Sequence, residues 1–520
     1  MRLRHNSVVV QAPQRAAPLL RLRHNRLQHF PVGSITEGIP MKRWLLAAAL
    51  VVGAACDTQR EAAAPQRTVD PGLTAALATV TPSDRLVVIV NYDETVTTSD
   101  AMSAAIMNVG SGVIQFRNLD LVAALATPAE ITAIGALPGV QGVYANKQLT
   151  WETAMLHESV PTIRADAVQA SGITGKGIGI AILDSGIDCL YNPDLHCPEK
   201  TVQNVKVLFN LTDLFTFKGS TNKTAKAADL FVENLPNSET SVGHGTHVAG
   251  IAAGLGTASA GYYTGVAPGA KLVGISTGDI LFIFWALAGF DYILDHQKAY
   301  NIMVVNNSWG TSGPFDPKDP INKATKKVHD KGITVVFAAG NDGPDQNTLN
   351  PYSVAPWVIG VAAGCKLVTP DPTNSAVHCA DQTGQNRPAW LADFSSRGIP
   401  GSPRYHPDIT APGVHIVSTR ASTGTVLNAL DANHDFDLTS SCAISSANEQ
   451  YYTCASGTSM ATPHVVGVVA LMQEAAGGSL TPDQIASVLT ATARPLPGFA
   501  LWEVGAGYLD ALAAVTAVRK

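Results

Sequence analysis

The sequence predicts an α/β protein with a doubly wound, mostly parallel sheet and flanking helices, preceded by a small α+β domain. Three observations predict this class. Between residues 177 and 518, short Val/Ile/Leu runs alternate with helical stretches, as in chains that build parallel sheets. The runs are almost continuously apolar, as expected of strands buried on both faces. Apolar residues make up 46% and charged residues 15% of the 520 positions, which excludes a disordered or fibrous chain.

The N-terminal segment carries features of export. Lys42 and Arg43 precede an apolar run over residues 44–55, the pattern of a secretory signal. The run is shorter than the roughly 20 residues that span a bilayer. The expected segments are an upstream artefact or disordered arm (1–40), a signal peptide (41–56) and a polar tether (57–83).

Cys56 follows Gly53, Ala54 and Ala55. Small residues before a cysteine resemble a bacterial lipobox, at which the thiol is lipidated, although an aliphatic residue is usual where Gly53 stands. Cleavage nearby without lipidation is the alternative. Both alternatives predict an exported protein, either secreted or lipid-anchored at the cell envelope.

Residues 84–150 are expected to form the small α+β domain. The segments DRLVVIVNY, GVIQFRNLD and VQGVYANK have the apolar character of strands, whereas DAMSAAIMNVG and TPAEITAIGALPGV have that of helices. Thr127 lies three residues before Glu130, which is the spacing of a capping box at a helix start. The predicted order is therefore β-α-β-α-β.

Residues 155–520 are expected to form the main domain. Its predicted strands lie at 178–183, 205–209, 270–276, 302–308, 332–339 and 357–363. Predicted helices between them are HGTHVAGIAAGL, DILFIFWALAGFDYILDHQ and DPINKATKKVHDKG. The apolar run ILFIFWALAGF is too short to cross a membrane and indicates a core helix.

The net charge limits the possible partners, and the cysteine content indicates the compartment. The net charge is −6 and no long basic run follows Arg43, so nucleic acid is not an expected partner. The six cysteines after Cys56 fall into local pairs, and an oxidising compartment permits disulfides between them. The candidate pairs are Cys189 with Cys197, Cys365 with Cys379, and Cys442 with Cys454.

Three segments carry side chains suited to catalysis. Asp184 ends a predicted strand, where α/β sheets place their active sites. His244 and His247 lie in GHGTHVAG, before a helix. Ser459 lies in GTSMATPH, and Pro463, tolerated in a first turn, predicts that Ser459 begins a helix. Each residue alone also has a structural explanation, as a loop aspartate, a packing histidine or a helix cap.

Asn341 follows a buried strand within the segment AAGND. A side-chain amide at this place can donate a hydrogen bond to an oxyanion. The alternative is a turn asparagine, which the sequence Asn-Asp-Gly favours.

The strings DSGID, GHGTHVAG, AAGND and GTSMATPH, in the order Asp, His, Ser, resemble the subtilisin-like (subtilase) serine peptidases over about residues 155–518. The resemblance implies that Ser459 is the nucleophile, His244 the general base and Asp184 the residue that orients His244. It also implies that Asn341 and the Ser459 backbone N–H form the oxyanion hole. His247 and His464 would be structural.

The same resemblance implies polypeptide substrates bound as an extended strand. The cleft walls would be Ser308-Trp309-Gly310 and Ala338-Ala339-Gly340, whose small residues would admit a sizeable apolar side chain. Residues 84–147 look like the family's inhibitory propeptide, the protein's own intramolecular partner, with self-cleavage expected between about Lys147 and Leu156. No cofactor is expected for catalysis, and a monomer is expected.

Structural calcium is expected on the ground of the family resemblance. Asp431, Asn433, Asp435 and Asp437 offer oxygen atoms at every second position, as in calcium loops. The segment lacks the glycine and the distal glutamate of an EF-hand. A solvated acidic loop is the alternative.

The predicted function is an exported serine endopeptidase made as a zymogen. The main alternative is a non-catalytic binding or scaffold protein at the cell surface that keeps this fold. An esterase would require G-x-S-x-G around its serine, and a metallopeptidase using His244 and His247 would require H-E-x-x-H. Neither pattern surrounds the residues named here.

Overall fold

The computed structural model describes residues 68–146, 148–151, 159–207, 224–226, 230–366, 391–432, 444 and 447–520. Two sheets dominate this part of the chain, one of eight strands and one of six. No helix in the described ranges is both long and apolar enough to cross a membrane.

The N-terminal subdomain covers residues 68–146 and combines a sheet with three helices. Its strands are β1 (Thr68–Val69), β2 (Leu86–Tyr92), β3 (Gly112–Gln115), β4 (Leu121–Ala126) and β5 (Val140–Ala145). The sixth strand of its sheet, Thr224–Lys226, comes from the main domain and pairs parallel with β3. Its helices are α1 (Pro71–Leu77), α2 (Ser99–Asn108) and α3 (Pro128–Gly135). The capping box between Thr127 and Glu130 is present at the start of α3.

Two expectations for this region are wrong. The tether predicted over 57–83 contains β1 and α1, because Asp70 caps the helix through Gly72 N (3.0 Å) and also accepts Ala145 N (2.7 Å). The predicted β-α-β-α-β order omits β4, which lies between β2 and β3 in the sheet. The subdomain therefore has the order β-α-β-β-α-β after α1.

The main domain contains the eight-stranded sheet. The remaining strands in chain order are β6 (Gln148–Trp151), β7 (Gly179–Asp184), β8 (Thr201–Val207), β9 (Thr224–Lys226), β10 (Phe231–Val232), β11 (Lys271–Ser276), β12 (Leu281–Phe282), β13 (Ile302–Asn307), β14 (Trp309–Gly310), β15 (Thr334–Ala338), β16 (Ile359–Gly364), β17 (Ile409–Pro412), β18 (Ile416–Thr419) and β19 (Tyr452–Ala455). The sheet order is β10-β8-β11-β7-β13-β15-β16-β17, and only the β10–β8 pair is antiparallel. This sheet confirms the predicted doubly wound α/β class.

Helices cover both faces of the main sheet. They are α4 (Ala165–Ala170), α5 (His244–Ala253), α6 (Ile283–His296), α7 (Pro320–Asp330), α8 (Thr425–Ala432), α9 (Thr458–Ala475), α10 (Pro482–Thr492), α11 (Leu501–Val504) and α12 (Ala511–Val518). Helices α5 and α9 contribute to one apolar core and α6 and α7 to another. The predicted helix at residues 279–297 begins only at Ile283, because Leu281 and Phe282 form β12.

The N-terminal subdomain packs one face of its sheet on α6 and α7. Its buried Ile89, Ile114 and Phe116 share a core with Phe284 and Ile321 of those helices. Removal of this apolar surface from water is the main force that holds the two parts together.

A charged rim borders that apolar contact. Asp291 accepts the backbone N–H of Arg117 (2.6 Å) and that of Asn118. Burial raises the pKa of Asp291 to about 6. On the neighbouring helix, Lys327 pairs with Asp120 at 2.8 Å.

Strand β6 links the subdomain to the main domain through a small separate sheet. It pairs antiparallel with β12 on one side and with β14 on the other. In this register, Trp309 lies opposite Trp151 and Gly310 opposite Thr150.

One of the three candidate disulfides lies wholly within the described residues. Cys189 and Cys197 form a disulfide, as predicted. Cys365 and Cys454 are each disulfide-bonded, while Cys379 and Cys442 lie outside the described residues.

The crossing of α5 and α9 generates a prediction about stability. A Cβ at Gly467 would lie 2.5 Å from Val266 Cβ and 2.9 Å from Ala252 O. Gly467→Ala should therefore destabilise the fold by about 1–3 kcal/mol, the usual cost of overpacking a core. Thermal unfolding on a Ser459→Ala background measures this change. Ser487→Ala, on the exposed side of α10, is the control, and equal melting temperatures for both variants would contradict the prediction.

Candidate active site

Asp184 occupies the carboxyl end of β7, the fourth strand of the main sheet. Its backbone carbonyl accepts Thr277 N at 2.9 Å, and its Oδ1 accepts Ser185 N at 2.8 Å. The residue is fully buried. These bonds hold the carboxylate at the sheet edge where α/β proteins place ligands.

His244 is the first residue of α5 and faces Asp184. Gly243, at φ 78°, turns the chain into the helix. Gly245 packs so closely on Gly186 that a Cβ at position 245 would overlap the Gly186 backbone. The resulting distance between His244 Nδ1 and Asp184 Oδ1 is 2.7 Å.

This contact defines how the imidazole can act. A carboxylate only accepts hydrogen bonds, so Nδ1 carries the proton and donates it to Asp184. In the neutral ring, Nε2 then carries the lone pair that accepts a proton from another group. The arrangement is that of an oriented general base.

Ser459 is the second residue of α9, as the sequence predicts. Its Oγ donates to Ser308 O at 2.9 Å, and Ser308 Oγ donates to Ser459 O at 2.8 Å. This reciprocal pair ties the start of α9 to the segment that leads into β14. Ser459 is fully buried in the full chain.

Pro463 differs from its prediction in position. It lies inside α9, beyond the first turn, rather than within it. Because proline has no N–H, Ser459 O loses its usual partner four residues along the helix. Ser308 Oγ supplies the missing hydrogen bond, which explains why the helix tolerates proline there.

Asn341 lies beside the start of α9. Its Oδ1 accepts Thr458 N at 3.0 Å and Thr458 Oγ1 at 2.8 Å. Since the amide oxygen is turned toward Thr458, the NH₂ group is the part of the side chain available to an external acceptor. Thr458 Oγ1 also accepts Gly340 N at 3.2 Å.

The two predicted cleft walls are joined by a residue that the sequence analysis missed. Asn350 Nδ2 donates to Trp309 O at 3.1 Å and to Ala338 O at 2.9 Å. A Cβ at Gly310 would lie 2.5 Å from this amide. Ser308, Ala339 and Gly340 belong to the same two walls, and Ala338 and Ala339 are buried.

The other two histidines of the motifs are embedded in the core. His247 Nε2 lies 3.1 Å from Ile416 O, and His464 Nδ1 lies 2.8 Å from Met460 O. Burial lowers the pKa of each to about 3. Both rings are therefore neutral near pH 7 and support the fold.

Other residues near the site gave no signal in the sequence. Glu239, Thr458 and Asn350 depend on contacts between distant segments, and β12 was included in a predicted helix. Glu239, five positions before His244, belongs to no recurring sequence motif that would mark it as part of a site.

The calcium candidates stay predictions. Residues 433–443 lie outside the described part of the chain, as does the Asp431 side chain. Asn433, Asp435 and Asp437 all fall within that range. In the described ranges there is no group of three His, Cys, Asp or Glu side chains placed to hold a metal ion.

Asp, His and Ser occur in that order along the chain, on a doubly wound sheet. This order separates the site from those of chymotrypsin and the α/β-hydrolases and defines a class of serine endopeptidases. A profile of the subtilase family matches residues 175–508, which is more than half of the chain. The chain belongs to the subtilase family.

Several proteins are similar to this chain. Serine protease AprX of Bacillus subtilis is 29% identical over 390 residues, covering 72% of this chain and 74% of the relative. An extracellular protease of Xanthomonas campestris is 31% identical over 360 residues, covering 66% of this chain and 52% of the relative. This chain thus spans about half the length of the Xanthomonas protein.

A solved structure is similar in fold. Fervidolysin from Fervidobacterium pennivorans, described as a keratinolytic enzyme related to subtilisin, aligns with a TM-score of 0.57 and 21% identity. The alignment covers 84% of this chain and 62% of fervidolysin. At this identity the likeness shows the fold alone.

His464 provides a test of pH dependence. Its pKa is about 3 in the folded protein and about 6.5 in an unfolded chain. Below pH 6.5 the unfolded state therefore binds more protons at this site, and the stability contributed here falls as the pH drops toward 3. In an inactive Ser459→Ala background, His464→Gln should lower the melting temperature most at pH 7 and progressively less toward pH 4. A difference that does not change with pH would contradict this assignment.

Proposed function

We propose that the chain is an exported serine endopeptidase, made as a zymogen, which cuts peptide bonds through an Asp184–His244–Ser459 triad. The observation that carries the proposal is the buried hydrogen bond between His244 Nδ1 and Asp184 Oδ1, in a subtilase sequence. This hydrogen bond leaves Nε2 as the basic nitrogen of His244, and Ser459 lies at the start of α9 in the same chain.

The proposed reaction proceeds in two stages. Ser459 Oγ attacks the scissile carbonyl carbon while its proton passes to His244 Nε2. The C–N bond then breaks, and His244 returns that proton to the leaving amine, which leaves an acyl-enzyme. A water molecule, deprotonated by His244, attacks the ester and restores the Ser459 hydroxyl.

Asp184 acts through His244. As the imidazole gains its second proton, the adjacent carboxylate stabilises the positive charge and keeps the ring oriented. All of the proposed steps use side chains and backbone groups of this chain, so no cofactor is proposed for catalysis.

The oxyanion would be bound at the start of α9. The Asn341 NH₂ group and the Ser459 backbone N–H are the proposed donors, and the helix N-terminus favours negative charge there. Thr458 holds the Asn341 carbonyl oxygen, which turns the donating end of the amide away from Thr458.

The substrate would bind as an extended strand. Strand β6 occupies the position between β12 and β14 in this structure, and we propose that a polypeptide substrate takes the same place after β6 has left. Backbone hydrogen bonds along both edges would give affinity for many sequences. Ser308-Trp309-Gly310 and Ala338-Ala339-Gly340 would then flank the residue at the cut.

The same pairing supports the zymogen proposal. Strand β6 continues from the N-terminal subdomain, which packs on α6 and α7. Ser459 and His244 have no exposed surface in the full chain, so an external substrate requires displacement of part of the protein. We propose that the subdomain acts as an inhibitory propeptide.

Export is part of the proposal. The Xanthomonas relative is named an extracellular protease, and disulfide bonding of Cys189 with Cys197 suits an oxidising compartment. The signal segment and Cys56 lie outside the described residues, so lipid anchoring at Cys56 stays a prediction.

Fluorophosphonate labelling tests the catalytic assignment. The matured protein should be labelled at Ser459, and Ser459→Ala should abolish both labelling and peptide hydrolysis. A properly folded wild-type protein that is not labelled would instead support the non-catalytic binding or scaffold protein.

Asn341 offers a graded test of the oxyanion hole. Asn341→Leu should lower kcat roughly 100- to 1000-fold, the loss measured for the corresponding asparagine of subtilisin, a member of the same family. KM should change little, because the hydrogen bond strengthens as charge develops on the oxygen. A kcat within threefold of the wild-type value would contradict this role.

The register of β6 narrows the expected cleavage site to one peptide bond. Trp309 pairs with Trp151 and Gly310 with Thr150, and the residue before them, Ser308, accepts the Ser459 hydroxyl. We therefore expect cleavage after Glu152, within the predicted 147–156 window; residues 152–158 lie outside the described part. Mass spectrometry of the active protein should find Thr153 at the mature N-terminus.

The Ser459→Ala protein is the control for self-cleavage. It should retain the N-terminal subdomain after signal removal. Normal processing of this variant by itself would show that autocleavage is wrong. A cut elsewhere between 147 and 156 in the active protein would contradict only the register.

A further inference from the structure

A buried carboxylate near the triad has no part in the proposed chemical steps. Glu239 is 4% exposed and lies five residues before His244. Its Oε2 accepts Thr246 N (2.8 Å) and Thr246 Oγ1 (2.7 Å), and its Oε1 accepts Thr240 N (2.9 Å). A buried carboxylate carries a high desolvation cost, and these bonds offset part of it.

Glu239 matters as an acceptor because the N-cap residue of α5 has no side chain that could cap the helix. Gly243 occupies the N-cap position and offers no oxygen, so the N–H groups of the first turn need partners from elsewhere. Ser185 Oγ accepts Gly245 N at 2.8 Å, and Glu239 accepts Thr246 N. The helix that begins with His244 is thus capped from two other segments.

One of these two segments carries Asp184 itself. Ser185 follows Asp184 directly and donates its backbone N–H to Asp184 Oδ1 at 2.8 Å. The Ser185 hydroxyl also hydrogen-bonds Glu239, which lowers the pKa of Glu239 and partly offsets the larger increase caused by burial. Hydrogen bonds therefore tie the first turn of α5 to Glu239 through Thr246 N and to the Asp184 segment through Ser185.

We propose that Glu239 is a positioning residue that holds the first turn of α5, and with it the His244 ring, in register with Asp184. This inference rests on the proposed function. Displacements of about 1 Å in a catalytic group can cost about 100-fold in rate, so a lost cap matters at the first residue of a helix. The negative charge of Glu239 also offsets the positive potential at the N-terminus of α5. That potential by itself would oppose protonation of His244.

Glu239→Gln is the direct test. The amide oxygen can accept one backbone N–H, but the NH₂ group must then face the other donor, so either the bond to Thr246 N or the bond to Thr240 N is lost. In the fully matured enzyme, with active sites counted by titration, kcat per site should fall about 10- to 100-fold while KM stays within twofold.

Glu474→Gln is the matched control. Glu474, near the opposite end of α9 from Ser459, is likewise a carboxylate that accepts backbone N–H groups, in its case three at Oε2: Thr174 at 2.7 Å, Gly175 at 2.5 Å and Lys176 at 2.9 Å. This variant should lower the melting temperature and leave kcat per site unchanged. The comparison separates the loss of a carboxylate that accepts backbone N–H groups elsewhere in the fold from loss of the one that caps the helix of His244.

Thr246→Val is the second variant if Glu239→Gln fails to fold. It removes the hydroxyl bonded to Glu239 and to Asp188 N but keeps the backbone N–H, and kcat per site should fall about threefold to tenfold. A wild-type kcat per site in Glu239→Gln, or in Thr246→Val where the first variant does not fold, would overturn the positioning role. Absence of Ser459 labelling in the wild-type protein would instead overturn the proposed function.

Discussion

The Asp184–His244 contact depends on two stretches of backbone that touch without intervening side chains. Gly186 follows the end of β7, and Gly245 lies in the first turn of α5. A methyl group at position 245 would overlap the Gly186 backbone. The 2.7 Å hydrogen bond thus requires glycine at position 245 for a steric reason, independently of any role in catalysis.

A second constraint joins the start of α9 to the edge strand β14. Pro463 removes one intrahelical donor, and the carbonyl of Ser459 accepts Ser308 Oγ instead. Asn306 Nδ2 donates to the same hydroxyl at 2.9 Å. Hydrogen bonds therefore hold Ser459 and β14 together. They fix the distance between the proposed nucleophile and the backbone beside which a substrate would lie.

The sequence predicted six of the eight strands of the main sheet, all except β10 and β17, because these strands depend on local pattern. Continuous apolar runs mark β7, β13 and β15, and the motifs begin or end at the elements the structure shows. Strand β4 was missed because LVAALA shows no alternation, and such short apolar runs do not distinguish strand from helix. Helix α1 carried a readable signal, Asp70 before Pro71 at the first helical position.

The supporting residues of the site could not be predicted in the same way. Glu239, Asn350 and Thr458 acquire their partners only when β7, α5, β15 and α9 are assembled, and a single sequence gives no spacing rule for such contacts. Their common feature is physical: each supplies hydrogen bonds to buried backbone or amide groups that would otherwise be unsatisfied. Active sites in tightly packed sheets need such groups wherever a helix or strand ends beside the reacting atoms.

Two of the attachments that hold the N-terminal subdomain differ in the forces they depend on. Its sheet is held by an apolar core shared with α6 and α7, whereas β6 is held by backbone pairing with two-residue edges, β12 and β14. Under the proposed function, cleavage after β6 leaves both attachments in place, because neither depends on the cut bond. Release then requires separation of the apolar surfaces, and the short strand, which gains little from so few hydrogen bonds alone, leaves with the subdomain. Under the proposed function, the contact with α6 and α7, rather than the chemistry at Ser459, would then set the rate at which the enzyme becomes active.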